Sequence, residues 1–182
     1  MNAGKRFEED IKKSIPSYVL YHRLKDSTGT FGGGNNLRFS SKQPCDVFLW
    51  NGEIGKFFTL ELKTTKSNAF SFEDIESENE QQSKMIHKHQ ILALKEYACY
   101  KGVISGFVLN FRLEKENVEH TYFLSIKNFL RMIDKLGKKS FNEKDLLHYS
   151  PILIEGTKKR TRWTWDMEKF MNSIGNNIRE ED

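Results

Sequence analysis

A chain of 182 residues, 37% hydrophobic and 30% charged, has a globular composition and the length for one hydrophobic core, which excludes a second independent one. No apolar run approaches the roughly 18 residues of a membrane-spanning helix. The charged N-terminus carries no apolar signal segment, so one cytoplasmic domain spanning residues 1–182 is expected, and the net charge of +4 is mildly basic. The two cysteines, Cys45 and Cys99, lack metal-site spacing and read as reduced, small core residues.

Phe7 and Ile11 stand four apart among charges, so Gly4 to Ser14 reads as a short amphipathic helix that Pro16 closes. Tyr18 to Leu24 is rich in residues favoured in strands. Ser27 to Asn36 contains Gly32, Gly33 and Gly34 in succession, and residues 27–43 read as a loop or projecting arm. Asp46 to Trp50 and Lys56 to Thr64 form two arms of a hairpin turned at Asn51-Gly52 and Gly55. Along its second arm Phe58, Leu60 and Leu62 fall on one face, and Thr59, Glu61 and Lys63 on the other.

Lys66 to Ser83 is polar, with Phe70 and Phe72 as its anchors. A helix is predicted over Met85 to Tyr100 and ends before Gly102; Gln90 lies on its apolar stripe. Val103 to Phe111 is nearly all apolar, as in a strand covered on both faces. A strand over Thr121 to Ile126 and a helix over Lys127 to Leu136, stopped by Gly137, follow. Ser140 and Glu143 are spaced as a capping box. Ile152 to Ile154 reads as a last strand and Asp166 to Ile174 as a C-terminal helix within the basic, aromatic segment 156–182. The mixture predicts an α/β fold with a mixed central β-sheet flanked by helices, and the 14 Phe predict a core closed by aromatic rings.

Chemistry concentrates in the hairpin. Glu61 and Lys63 share a strand face roughly 6–7 Å apart, and Asp46 begins the neighbouring strand. Two carboxylates held so can bind a hard divalent cation through oxygen, with positions left for water and phosphate. Lys63 can orient the attacking water or neutralise charge on the phosphorane-like transition state. The pattern resembles the PD-(D/E)xK nuclease signature, here Pro44-Cys45-Asp46 followed by Glu61-Leu62-Lys63.

Further segments stand in order around it: Asn2-Ala3-Gly4-Lys5-Arg6-Phe7-Glu8, Ser71-Phe72, Ile86-His87-Lys88-His89-Gln90, Gly102 to Leu109, and Thr121 to Leu124. Together they resemble the RecU family of Holliday-junction resolvases, phage-type members among them, over about Asn2 to Tyr149. The resemblance implies a restriction-endonuclease-like core, a homodimer, and Mg2+-dependent cleavage of branched DNA, the four-way junction, with Mn2+ as a substitute ion and recombination proteins as further partners. It also implies Asp46 and Glu61 as metal ligands, Lys63 as the catalytic lysine, and Glu8 and Gln90 as further candidates for the metal, one ion or two. His87 and His89 are too few for zinc and read as DNA-facing or structural. Lys5, Arg38, Lys42, Thr64, Lys66, Lys88, Lys158, Lys159, Arg160 and Arg162 are the residues expected to meet DNA, with Trp163 and Trp165 packed on the core. The family's stalk corresponds here to Thr30 to Gln43, shorter and richer in glycine. Two alternatives stay open: a junction-binding factor without cleavage, and a nuclease of the same fold acting on other DNA.

Overall fold

The computed structural model describes residues 2–24, 43–77, 83–113 and 117–177. Residues 25–42, which carry most of the expected arm together with Arg38 and Lys42, lie outside the described residues. Helix α1 (Ala3–Ser14) starts where the Asn2 side chain accepts the Lys5 N–H at 2.9 Å, and stops before Pro16. Strands β1 (Leu20–Arg23), β2 (Val47–Asn51) and β3 (Lys56–Thr65) follow, then β4 (Ala69–Ser71), α2 (Lys88–Tyr97), β5 (Val103–Leu113), β6 (Val118–Ser125) and α3 (Ile126–Lys135). The last elements are β7 (Ser140–Asn142), α4 (Glu143–Leu147), β8 (Ile152–Ile154), β9 (Gly156–Lys159), β10 (Arg162–Trp165) and α5 (Met167–Asn177).

The expected architecture is the one observed. Six strands form one mixed sheet in the order β1-β2-β3-β5-β6-β8, with β3 and β5 parallel and the other neighbours antiparallel. Strand alternation divides the core into two layers. Val47, Leu49, Phe58, Leu60, Leu62 and Val108 pack with Phe7 and Ile11 of α1 and with Phe170, Met171 and Ile174 of α5. Phe107, Leu109 and Phe111 turn the other way, onto Ile91 and Leu94 of α2 and Phe129 and Met132 of α3. Aromatic rings do close this second layer: Phe107 lies 4.6 Å from Phe129 and Phe70 lies 4.9 Å from Phe111, centroid to centroid. The centre of β5 is buried throughout residues 105–111, as its apolar run requires.

The structure revises several local expectations. Helix α2 begins at Lys88, not Met85, because Ile86 is drawn into a bridge with Phe72. The box near residue 140 is Asn142 with Asp145 rather than Ser140 with Glu143: Ser140 is consumed in β7, paired with Ser71. Cys45 is buried, but Cys99 is exposed, so only the first is a core residue. Gly137 does end α3, in the left-handed conformation at φ +59°. Among the described residues no helix is long and apolar enough to cross a membrane.

The β9–β10 ribbon carries the tryptophans. Their rings stack at 5.3 Å and 11°, and Trp165 meets Phe7 edge-on at 6.1 Å. They pack over Gly156, where an added Cβ would lie 2.3 Å from the Trp165 ring, so no larger residue fits unshifted. Both rings therefore serve the core, as expected for them.

Candidate active site

The β2–β3 hairpin sets the site. Register pairs Val47 with Leu60, and the Asp46 N–H extends the ladder to the Leu60 carbonyl at 3.2 Å. Past that point β2 no longer covers β3. The Leu62 N–H meets the Asp46 side chain instead, donating to Oδ2 at 2.8 Å. Asp46 thus stands at the fork between two strands, one oxygen fixed by backbone. Glu61 and Lys63 fall on the α2 face of β3, opposite Leu60 and Leu62, as the alternation predicts.

That face is not a solvated surface. Glu61 is 2% exposed, and Lys63 extends its ammonium to 3.0 Å from Glu61 Oε1. From above, Gln90 in the first turn of α2 donates through Nε2 to the same Oε1. Its other atom, Oε1, accepts the His87 N–H at 3.0 Å, so one amide both caps α2 and holds Glu61. The four side chains Asp46, Glu61, Lys63 and Gln90 are brought together.

Electrostatics at Glu61 are unfavourable for a charge. Burial, and next the Asp46 carboxylate, push its pKa up to about 8 against the opposing pull of Lys63. One ammonium and one amide do not compensate two carboxylates at this depth. Cys45, just before Asp46, has its thiol pushed up to about 12 by burial and by the Glu61 charge, which makes it an inert neighbour.

The structure places the remaining candidates more loosely. Glu8 pairs with Arg23 at 2.5 Å, and Arg23 on β1 lies opposite Val47, the residue after Asp46. His87 and His89 stack at 5.7 Å, and His87 Nδ1 lies 3.2 Å from Glu73 Oε1. No group of three or more His, Cys, Asp and Glu side chains suited to a metal occurs among the described residues. Glu73 escaped sequence reading. Its buried carboxylate accepts the N–H of Lys88, 15 residues away, at 2.6 Å and so caps the helix that carries Gln90. An acidic residue beside Phe72 in a polar stretch gave no sign of that partner.

The chain is 30% identical over 185 residues to the SPbeta prophage-derived uncharacterized protein YotM of Bacillus subtilis (strain 168), across 95% of this chain and 87% of the relative. It belongs to the YotM family. No family model matches it. Among solved structures, the Holliday junction resolvase Hjc of Archaeoglobus fulgidus superposes at a TM-score of 0.46 with 17% identity, over 82% of this chain and 95% of that one.

The residues expected to meet DNA scatter over this YotM-family chain. Lys5, Lys66, Lys158, Lys159 and Arg160 are exposed. Lys88 is half-buried, its ammonium donating to the Ser77 carbonyl at 2.9 Å. Arg162 binds the α1 carboxylates instead, Nε to Asp10 at 2.5 Å and Nη2 to Glu9 at 2.8 Å. Thr64 does not share the face of Glu61 and Lys63. It lies on the α1 side, where its hydroxyl donates to Asn110 Oδ1 at 2.6 Å. The alternation that placed Lys63 already placed Thr64 opposite it.

Proposed function

We propose that this chain is a Mg2+-dependent endodeoxyribonuclease that resolves four-way DNA junctions, a phage-type member of the RecU group working as a homodimer. One observation carries the reading: Glu61 is buried, in contact with Lys63 and Gln90, and within reach of Asp46 at the fork of two strands. A stabilising ion pair would not leave two carboxylates against one ammonium. A phosphodiesterase centre would.

The residues present fit a hard divalent cation. They offer carboxylate oxygens from Asp46 and Glu61, with the Gln90 amide above. Among the described residues, two carboxylates without a third acidic or imidazole ligand suit Mg2+, which retains several waters and takes the remaining oxygens from phosphate. When bound, the ion supplies Lewis acidity to the scissile phosphate and a more acidic water.

The chain's own residues do the rest. The Leu62 N–H fixes the orientation of the Asp46 carboxylate, and Gln90 fixes that of Glu61. Lys63, 18% exposed at its side chain, places a cation where the attacking water or the charge developing on phosphorus will be. Paired incisions across a junction need two such centres, which a two-fold homodimer provides. The prophage origin of YotM supports the phage-type assignment.

The test is a synthetic mobile four-way junction incubated with Mg2+ and either wild type or Glu61→Gln, with linear duplex as competitor. Paired nicks by wild type and none by the variant are expected. Equal cleavage by both proteins, or by neither, removes the catalytic assignment. Preferential cleavage of the linear competitor would keep the nuclease and discard the junction.

A further inference from the structure

A second polar cluster lies on the α1 face of the same sheet, behind the carboxylates. Its root is Asn110, completely buried in β5. The Asn110 amide donates to Thr121 Oγ1 at 2.9 Å and to Glu119 Oε2 at 3.1 Å, while its carbonyl oxygen accepts the Thr64 hydroxyl. Thr64 Oγ1 in turn accepts Arg112 Nε at 3.1 Å. The guanidinium of Arg112 is therefore oriented from within the core, which a solvated surface arginine is not.

This network underlies a cavity of about 210 Å³ lined by Arg6 of α1, Arg112, Asn117, Glu119, Lys158 of β9 and Trp163. The Lys158 ammonium donates to Asn117 Oδ1 at its rim. Among the described residues that line it, three cations from three separate elements face one carboxylate. That carboxylate, Glu119, is turned towards Asn110, and burial raises its pKa above the ordinary range. The balance of these lining residues is positive, and the size suits one tetrahedral phosphate with its waters.

Position argues for the ligand. Lys63 pairs with Leu109, and Arg112 lies three residues further along β5, so the cavity sits about 10 Å further along the strand than the candidate active site, at the same end of the sheet but on its opposite face. The exposed Lys158, Lys159 and Arg160 continue the positive surface from its rim. A DNA strand with its scissile phosphate at Lys63 that continued round the ends of β3 and β5 would bring a flanking phosphate to this face.

We infer that Arg6, Arg112 and Lys158 form a second phosphate subsite, which holds a flanking phosphodiester of the bound DNA strand. The choice of DNA as ligand rests on the function proposed above; the cavity and its charge do not. One shared phosphate gives a signature that scattered surface charge lacks, because its cations do not act independently.

Binding of a fluorescent junction in EDTA, measured by anisotropy across salt concentrations, tests this. Removing the one shared contact lowers the slope of log K against log salt by about 1. Arg6→Gln, Lys158→Gln and the double variant are all expected to show that one decrement, and about tenfold weaker binding at moderate salt. Lys135→Gln on α3 is expected to show neither. A double variant that loses about 2 in slope, or one that behaves like Lys135→Gln, overturns the subsite while cleavage by wild type still stands.

Inorganic phosphate supplies the other arm. It should change the tryptophan emission of wild type, through Trp163, and not that of the double variant. A phosphate response with an unaltered DNA slope would make this a free-anion site and overturn the inference. Failure of wild type to bind any DNA overturns both this subsite and the proposed function.

Discussion

Two clusters in this molecule combine carboxylates with a cation, and they are built to opposite ends. At the junction of α1 and β10, Arg162 binds Asp10 and Glu9 together, and Lys13 approaches Glu9 at 3.3 Å. The guanidinium holds the Glu9 carboxyl below its ordinary range, and the two acids hold Arg162 above its own. In the hairpin, by contrast, burial and Asp46 hold Glu61 above its ordinary range despite Lys63 and Gln90. Similar residue types thus fasten a helix to a ribbon in one place and leave a charge deficit in the other. An unsatisfied deficit inside a well-ordered sheet is what a cation-binding centre requires of its protein.

The sharpest way to break that contrast is activity. Glu61→Gln and Asp46→Asn should each lower junction cleavage by about a thousandfold or more, whereas Asp10→Asn should leave the rate per folded molecule within about twofold. Quantifying nicked product against folded protein separates the two. A cleavage loss in Asp10→Asn equal to that in Glu61→Gln would erase the distinction between the clusters.

Stability should respond with the opposite sign. Glu61 ionises near 8 in the folded chain and near 4.5 when unfolded, so the folded state binds the extra proton between those values. Stability therefore falls as pH rises through that window and is constant above it. Replacing Glu61 by Gln removes the loss. In EDTA the variant should be more stable than wild type at pH 8.5 by on the order of 3 kcal/mol, with the difference vanishing near pH 4.5. Urea melts at the two pH values check this. Adding Mg2+ at pH 8.5 should raise the midpoint of wild type and leave Glu61→Gln where it was. A wild type more stable than the variant in EDTA would mean that Glu61 is already compensated.

Asp10→Asn should destabilise instead, by about 2 kcal/mol, discounted because the Arg162 side chain is 34% exposed. Thermal melts of variant and wild type measure it.

How far the sequence foretold these clusters depends on how distant the partners are. The Asn51-Gly52 turn and the alternation along Lys56–Thr65 are local signals, and they placed Glu61 and Lys63 on one face with Asp46 at the start of the neighbouring strand. Burial of Glu61 was not local. Its cover is Gln90, 29 residues away, and strand periodicity says nothing about what packs above it. The same limit hid Glu73, whose partner is a helix end, and Arg6, which meets Arg112 and Lys158 only in the folded cavity. Local propensity also lost to pairing twice. Ile86 fitted a helical stripe but joined Phe72, and Ser140 fitted a cap but joined Ser71.

The smallest expected effect falls on Gln90, where the two kinds of bond meet in one side chain. Its Oε1 accepts the His87 N–H and its Nε2 donates to Glu61. Gln90→Ala removes both, so it should cost about 1 kcal/mol of stability through the lost cap and about tenfold in cleavage, near 1.4 kcal/mol of barrier, through the loosened Glu61. Gln90→Glu separates them. A glutamate still accepts the His87 N–H and keeps the cap, but it sets a third carboxylate against Glu61 in place of a donor. Stability in EDTA should then fall further as pH rises, and Mg2+ should restore more of it than in wild type. If Gln90→Ala melts early yet cleaves at the wild-type rate, Gln90 belongs with Asp10 among the fasteners, and the centre is held by β2 and β3 alone.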